Sequence, residues 1–198
     1  MPLLQGDSGQ GNAQWTDDIT SALTTTDGVP SGTARAIGGR AFASVNDSSP
    51  ITNTTDETAF DVSYTMPAGT LKAASTLRVK AVVRCISTNA TDTLRIKGRV
   101  GGQEVVTSAN VDVADGDTVI VEYFLVSRAA VGTGVSVKGG GTAIFTTGAS
   151  GTFATASTLG GSATLNTNAA LAVDIAAKWS VASAANQCVL ETLIVDVL

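Results

Sequence analysis

Several residues in this chain are of types that can do chemistry. Asp56, Glu57 and Asp61 form one acidic cluster, and Asp112, Asp115 and Asp117 form another. A pair of carboxylates is the machinery of glycoside hydrolysis. A tight acidic loop also suits Ca²⁺, a hard cation that takes several oxygen ligands. Arg95, Lys97 and Arg99 make a short basic row, the kind of feature a polyanion contact requires. Cys85 and Cys188 supply two thiols more than a hundred residues apart.

Each group also has a plainer reading. The second acidic cluster lacks the spacing and the distal Glu of an EF-hand, and both clusters sit in polar stretches that read as solvated turns. Glycan-processing clefts are usually walled with aromatic rings, whereas this chain has only two Trp and two Tyr. Trp179 alternates with Ala177 and Val181 and reads as core. The basic row alternates with Leu94, Ile96, Gly98 and Val100, so it reads as the solvated face of a strand. The formal charge of -5 argues against a nucleic-acid partner. Both cysteines fall in apolar strand patterns and read as buried, inert thiols. A disulfide would require their strands to be neighbours with close Cα atoms.

The chain has no histidine, which removes the commonest general base, the Ser-His-Asp and Cys-His arrangements, and histidine metal sites together. No G-x-S-x-G elbow is present. Lys138-Gly139-Gly140-Gly141-Thr142 has the lysine before the glycines, the reverse of a phosphate loop. The expectation is a protein with no catalytic residues, no cofactor and no metal site.

The elements that carry these residues are strands. In Ser75–Ser87, Leu77, Val79, Ala81, Val83 and Cys85 recur at every second position, with Arg78, Lys80 and Arg84 between them. That period puts one face in a core and the other in water. Further strands are expected over Leu94–Val100, Val119–Val126, Leu171–Val181 and Val189–Val197. The first two of these five, Leu77–Cys85 and Leu94–Val100, look like a hairpin joined by a short polar loop. Asp115-Gly116-Asp117 reads as a second hairpin turn, and Gly139-Gly140-Gly141 as a flexible one. Val119, Val121, Tyr123 and Leu125 lie on one face of their strand and Ile120, Phe124 and Val126 on the other, so both faces are largely apolar and this strand is expected to be central. The last strand is apolar throughout and should be internal, because an exposed apolar edge invites aggregation.

About eight main strands with Gly and Asn turns, and no long helix, predict an all-β fold: a two-sheet antiparallel β-sandwich, jelly-roll-like, with an N-terminal extended arm. The arm is placed at 1–40 and the sandwich at 41–198. Residues 1–40 are rich in Gly, Ser, Thr and Asp, and Trp15, Ile19 and Leu23 are spaced to share one face of a short helix. They are the candidate assembly contact, Trp being a favoured interface anchor. Charged residues are only 15% of the chain, which leaves a Thr-, Ser- and Ala-rich surface suited to being covered by neighbours. The opening Met1–Asp7 lacks the features of a signal peptide, and no apolar run approaches the ~20 residues that span a bilayer, so no membrane partner is expected.

Ser75–Ala81, Asp92–Gly102, Leu171–Ile175, Trp179-Ser180, Ala184–Asn186 and Leu193–Leu198 together resemble tailed-bacteriophage virion structural proteins. The likeness covers about residues 58–198. It implies a small jelly-roll domain, no catalytic residues and assembly as a homotrimer on other virion proteins. The expected function is a capsid decoration or cement protein that binds the major capsid protein, is assembled in the host cytoplasm and is carried in the virion. A tail-fibre or tail-tip receptor-binding domain and a carbohydrate-binding module are the alternatives.

Overall fold

A computed structural model describes residues 39–89, 91–146, 157–158 and 163–198. Among these residues the chain forms strands β1 (Arg40–Ala43), β2 (Ile51–Thr52), β3 (Thr58–Ala59), β4 (Tyr64–Met66), β5 (Thr76–Ser87), β6 (Thr93–Val100) and β7 (Gln103–Thr107). They continue as β8 (Val111–Asp112), β9 (Thr118–Ser127), β10 (Val135–Thr146), β11 (Ser157–Thr158), β12 (Ala163–Leu165), β13 (Leu171–Trp179) and β14 (Gln187–Val197). The first sheet runs β1-β14-β5-β9-β10-β12, with β2 also on β14. The second runs β11-β7-β6-β13-β3, with β4 on β13 and β8 on β6. All pairings are antiparallel. The two-sheet sandwich expected from the alternation is the observed fold.

Period-two patterning explains the layers. Leu77, Val79, Ala81, Val83 and Cys85 point inward from β5 and are essentially inaccessible to solvent. Leu94, Ile96 and Val100 do the same from β6, and Val173, Ile175, Ala177 and Trp179 from β13. Between the sheets lie the largest fully buried side chains, among them Trp179, Tyr123 and Phe145. Trp179 is thus core, and its indole N–H donates to the Ile51 carbonyl at 3.4 Å. Strand β14 is internal, flanked by β1, β2 and β5.

Three expectations about connection fail. Strands β5 and β6 are not a hairpin: β5 pairs with β14 and β9 in the first sheet, while β6 pairs with β13, β7 and β8 in the second. The polar link between them crosses from one sheet to the other. It is held by Asn186, whose Oδ1 accepts from Asn89 N at 2.9 Å and whose Nδ2 donates to Asp92 Oδ2 at 2.9 Å. Asp115-Gly116-Asp117 is likewise a sheet-to-sheet turn, since β8 belongs to the second sheet and β9 to the first. Gly116 takes the left-handed conformation there, φ 84°.

The glycine triplet is not a turn. Gly139, Gly140 and Gly141 lie inside β10, opposite Leu125, Phe124 and Tyr123 of β9. A Cβ on Gly139 would sit 3.1 Å from Leu125 Cα, and one on Gly141 would sit 2.8 Å from Tyr123 Cα. Glycine serves here to let two backbones approach closely rather than to reverse the chain.

Candidate functional site

Lys97 and Arg99 of the basic row meet Glu57 of the first acidic cluster on the outer face of the second sheet. Strand β6 places Lys97 beside Ala176 and Arg99 beside Asp174 of β13. Arg99 Nε donates to Asp174 Oδ1 at 2.7 Å, and its Nη1 donates to Glu57 Oε1 at 3.1 Å. Lys97 Nζ pairs with Glu57 Oε2 at 2.5 Å and also with Glu104. The Lys97 side chain is only 8% exposed, so the row is not the solvated strand face its alternation suggested. Desolvation alone would lower the Lys97 pKa, but the bonds to Glu104 and Glu57 outweigh it and leave it raised. The bond from Lys97 holds the Glu104 carboxyl below the ordinary carboxylate range. Lys97 and Arg99, satisfied by three carboxylates, are committed to joining β3, β6, β7 and β13 and offer little to a polyanion.

Three other carboxylates fix turns and loops. Asp61 accepts from Ser49 N at 3.0 Å, and hydrogen bonding from Ser49, its side chain first and then its backbone N–H, lowers the Asp61 pKa. Asp115 Oδ1 accepts from Thr88 N at 2.7 Å, and Asp117 Oδ2 from Ala114 N at 2.7 Å. Among the described residues no three His, Cys, Asp or Glu are grouped as metal ligands would be.

What remains open to a partner is the outer face of the first sheet. Strand β9 is central in strand order, as expected, yet it is covered on one side only. Phe124 is 50% exposed and Ile120 41% exposed. Ile120 stands between Val82 of β5 and Ile144 of β10, making an apolar row across three strands. Phe124 stands between Arg78 and Gly140. A groove of about 450 Å³ opens there, lined by Thr76, Arg78, Glu122, Phe124, Thr142 and Leu198. Glu122 is bridged to Lys80 at 2.5 Å. Leu198, 56% exposed, is fixed at the rim by reciprocal backbone bonds with Thr76, each 2.8 Å.

The face combines exposed apolar side chains with ion pairs at its margins, Arg40 with Asp196 at 3.2 Å and Arg84 with Glu191. Protein-binding surfaces combine the same two elements, an apolar centre and a polar rim.

Sequence reasoning did not single out Phe124, Ile120 or Leu198. The signal is the apolar residues on both faces of β9, which point to a central strand and do not say which face stays open. The residues it did single out, Trp15, Ile19 and Leu23, lie outside the described residues, as does nearly all of the expected arm.

No family model matches the chain, and no curated protein does. Among solved structures it is similar to the CBM2 module of the evolved Dit of Lactobacillus casei phage J-1. That likeness has a TM-score of 0.35 at 11% identity and covers 80% of this chain and 95% of that one. It is also similar to alginate lyase Aly36B in complex with alginate tetrasaccharide, with a TM-score of 0.27 at 10% identity, over 69% of this chain and 82% of that one. Likeness at this level assigns neither ligand nor activity.

Proposed function

We propose that this chain is a non-enzymatic structural protein of a tailed-phage virion, a capsid decoration or cement protein that assembles as a homotrimer on the major capsid protein. The observation that carries the reading is the exposed apolar face of the first sheet, with Phe124 half exposed at its centre. A lone particle gains nothing from leaving such a ring in water, whereas burial of apolar area is the main driving force of subunit association. The resemblance to virion proteins supports the same reading, as do a chain without histidine and the commitment of Glu57, Asp174, Asp115 and Asp117 to ion pairs and turns. Residues 1–38, with Trp15, Ile19 and Leu23, are the segment assigned to reach a neighbour or the shell.

Light scattering on the full chain and on Phe124→Asp tests the interface. The expected result is a trimer for the former and a monomer that still unfolds cooperatively for the latter. A monomeric full-length protein removes the trimer. Deletion of residues 1–38 is expected to leave folding and trimerisation intact while abolishing incorporation into particles. The cut stops there because Gly39 accepts a backbone bond from Val197 at 2.7 Å and belongs to the sandwich.

A second reading, as a tail-tip receptor-binding or carbohydrate-binding module, rests on one feature of the same groove. Phe124 offers an aromatic face within reach of the polar side chains of Arg78, Glu122, Thr76 and Thr142. Retention of the wild type, but not of Phe124→Ala, on host-wall polysaccharide, by a protein that stays monomeric, favours this reading over the first.

A further inference from the structure

We propose that Cys85 and Cys188 form a latent cross-strand disulfide that closes when the protein meets a small-molecule disulfide, tying β14 to β5. The two residues are direct partners in the antiparallel register of these strands. Both point into the core, and both are free thiols with no solvent exposure. The backbone fixes the type of pair. Cys85 N donates to Asp117 O at 2.8 Å, and Cys85 O accepts from Gly116 N at 2.9 Å. Both polar groups of Cys85 are thus turned toward the β9 side, away from β14. On the other strand Cys188 is paired with Ile51 of β2 on its far side. Cys85 and Cys188 therefore form a non-hydrogen-bonded pair, the closer of the two antiparallel types, with Cα atoms about 4.5 Å apart. That separation lies at the short end of the range a disulfide bridges.

The position also explains why the bond waits for an oxidant and for an opening. Burial pushes the Cys85 thiol up to about 12, and burial raises that of Cys188 as well, so neither is a nucleophile in the closed sheet. Both lie at the frayable end of their strands, β5 stopping at Ser87 and β14 starting at Gln187, where the register is already irregular. Local opening there exposes a thiolate without global unfolding. The thiolate of one cysteine attacks a sulfur of the reagent disulfide, breaking its S–S bond and expelling one reagent thiolate. The second cysteine, as thiolate, attacks the protein sulfur of the mixed disulfide and expels the other. The protein loses two protons and two electrons, and the reagent disulfide is reduced to two thiols. The chain would thus fold with both thiols reduced and gain the staple in oxidising surroundings. The inference does not depend on how the protein assembles.

The test is to incubate the folded full chain with oxidised glutathione at neutral pH, quench and alkylate it in denaturant, and measure its mass. The expected product has lost two hydrogens, carries no alkyl group and yields one peptide pair joined through Cys85 and Cys188. Its melting temperature is expected to rise by roughly 5–15 °C, because the closed loop holds about a hundred residues, and to return on reduction. Cys188→Ala is expected to stop at a single glutathione adduct. Two alkylated thiols, or two glutathione adducts without a link, in the wild-type protein would overturn the proposal, and this readout needs no variant to fold.

Discussion

The ring of Tyr123, carried by β9 in the first sheet, lies against Gly98, carried by β6 in the second. A Cβ on Gly98 would come within 2.7 Å of Tyr123 Cδ1 and 2.8 Å of Val106 Cγ1. The phenol reaches past the glycine and donates to the Arg99 carbonyl at 3.2 Å. One large residue thereby crosses the sandwich at the one position of β6 whose inward side chain is missing. Burial pushes the phenol pKa far above its ordinary value, so the group stays a neutral donor.

This fit predicts a sharp response at Gly98. Gly98→Ala should destabilise the domain by about 1–3 kcal/mol through overpacking, read as a lower denaturant midpoint at unchanged slope. Gly132→Ala is the control. Its Cβ would meet nothing nearer than Val135 Cγ2 at 3.6 Å, and it should change stability by no more than about 0.5 kcal/mol. Tyr123→Phe should cost about 1 kcal/mol for the lost hydrogen bond to a buried carbonyl. Equal midpoints for Gly98→Ala and Gly132→Ala would refute the packing.

Val121 lies two residues from Tyr123 on the same inward face and is completely buried. Val121→Asp introduces an unpaired charge whose burial costs several kcal/mol, of the order of the whole ~5–15 kcal/mol stability of a domain. The variant is expected to be insoluble or unfolded by circular dichroism. A cooperative thermal transition near that of the wild type would contradict the placement of β9.

Phe124, next to Tyr123 but facing outward, should behave in the opposite way. Phe124→Ser in a dissociated monomer should alter stability by no more than about 0.5 kcal/mol, as expected of an exposed site. Chemical denaturation at a protein concentration low enough to hold the chain monomeric is the measurement. A loss of several kcal/mol would mean that the ring is structural.

The Glu104–Lys97–Glu57 ion pairs predict where stability depends on pH. The folded pKa of Glu104 is lowered, so its contribution is present above the unfolded value of about 4.3 and is lost as pH falls through the lower folded value. The folded pKa of Lys97 is raised, so its contribution is present below the unfolded value of about 10.4 and is lost as pH rises through the higher folded one. Stability should therefore be flat near neutrality with respect to this pair. Glu104→Gln should flatten the acid limb, and the proton uptake on unfolding between pH 3 and 5 should shrink, as measured by potentiometric titration. An unchanged acid limb would show that the Lys97–Glu104 contact is not maintained in solution.

Residue order alone determined which side of the alternating strands faces inward. Alternation in Leu77–Cys85, Leu94–Val100 and Leu171–Trp179 is a local property, because successive side chains on a strand point to opposite faces whatever the strand pairs with. The sandwich class and the burial of Trp179, Val121 and both cysteines were legible for that reason. Partner choice is not local. Strands β5 and β6 are close in sequence and lie in opposite sheets, since inward-facing apolar residues can be buried against any other apolar face, and a short polar link can either reverse in one sheet or cross to the next. The same ambiguity hid the outer face at Phe124: apolar residues on both sides of a strand fit burial between two layers as well as exposure on a surface that another molecule covers. It hid the function of Gly139–Gly141 too, where the absence of a side chain serves a reversal or a close backbone approach equally well. Only the tertiary structure, by placing Gly140 opposite Phe124 and Cys188 opposite Cys85, decided where the open face and the paired thiols are, because both depend on which strands are neighbours and in what register.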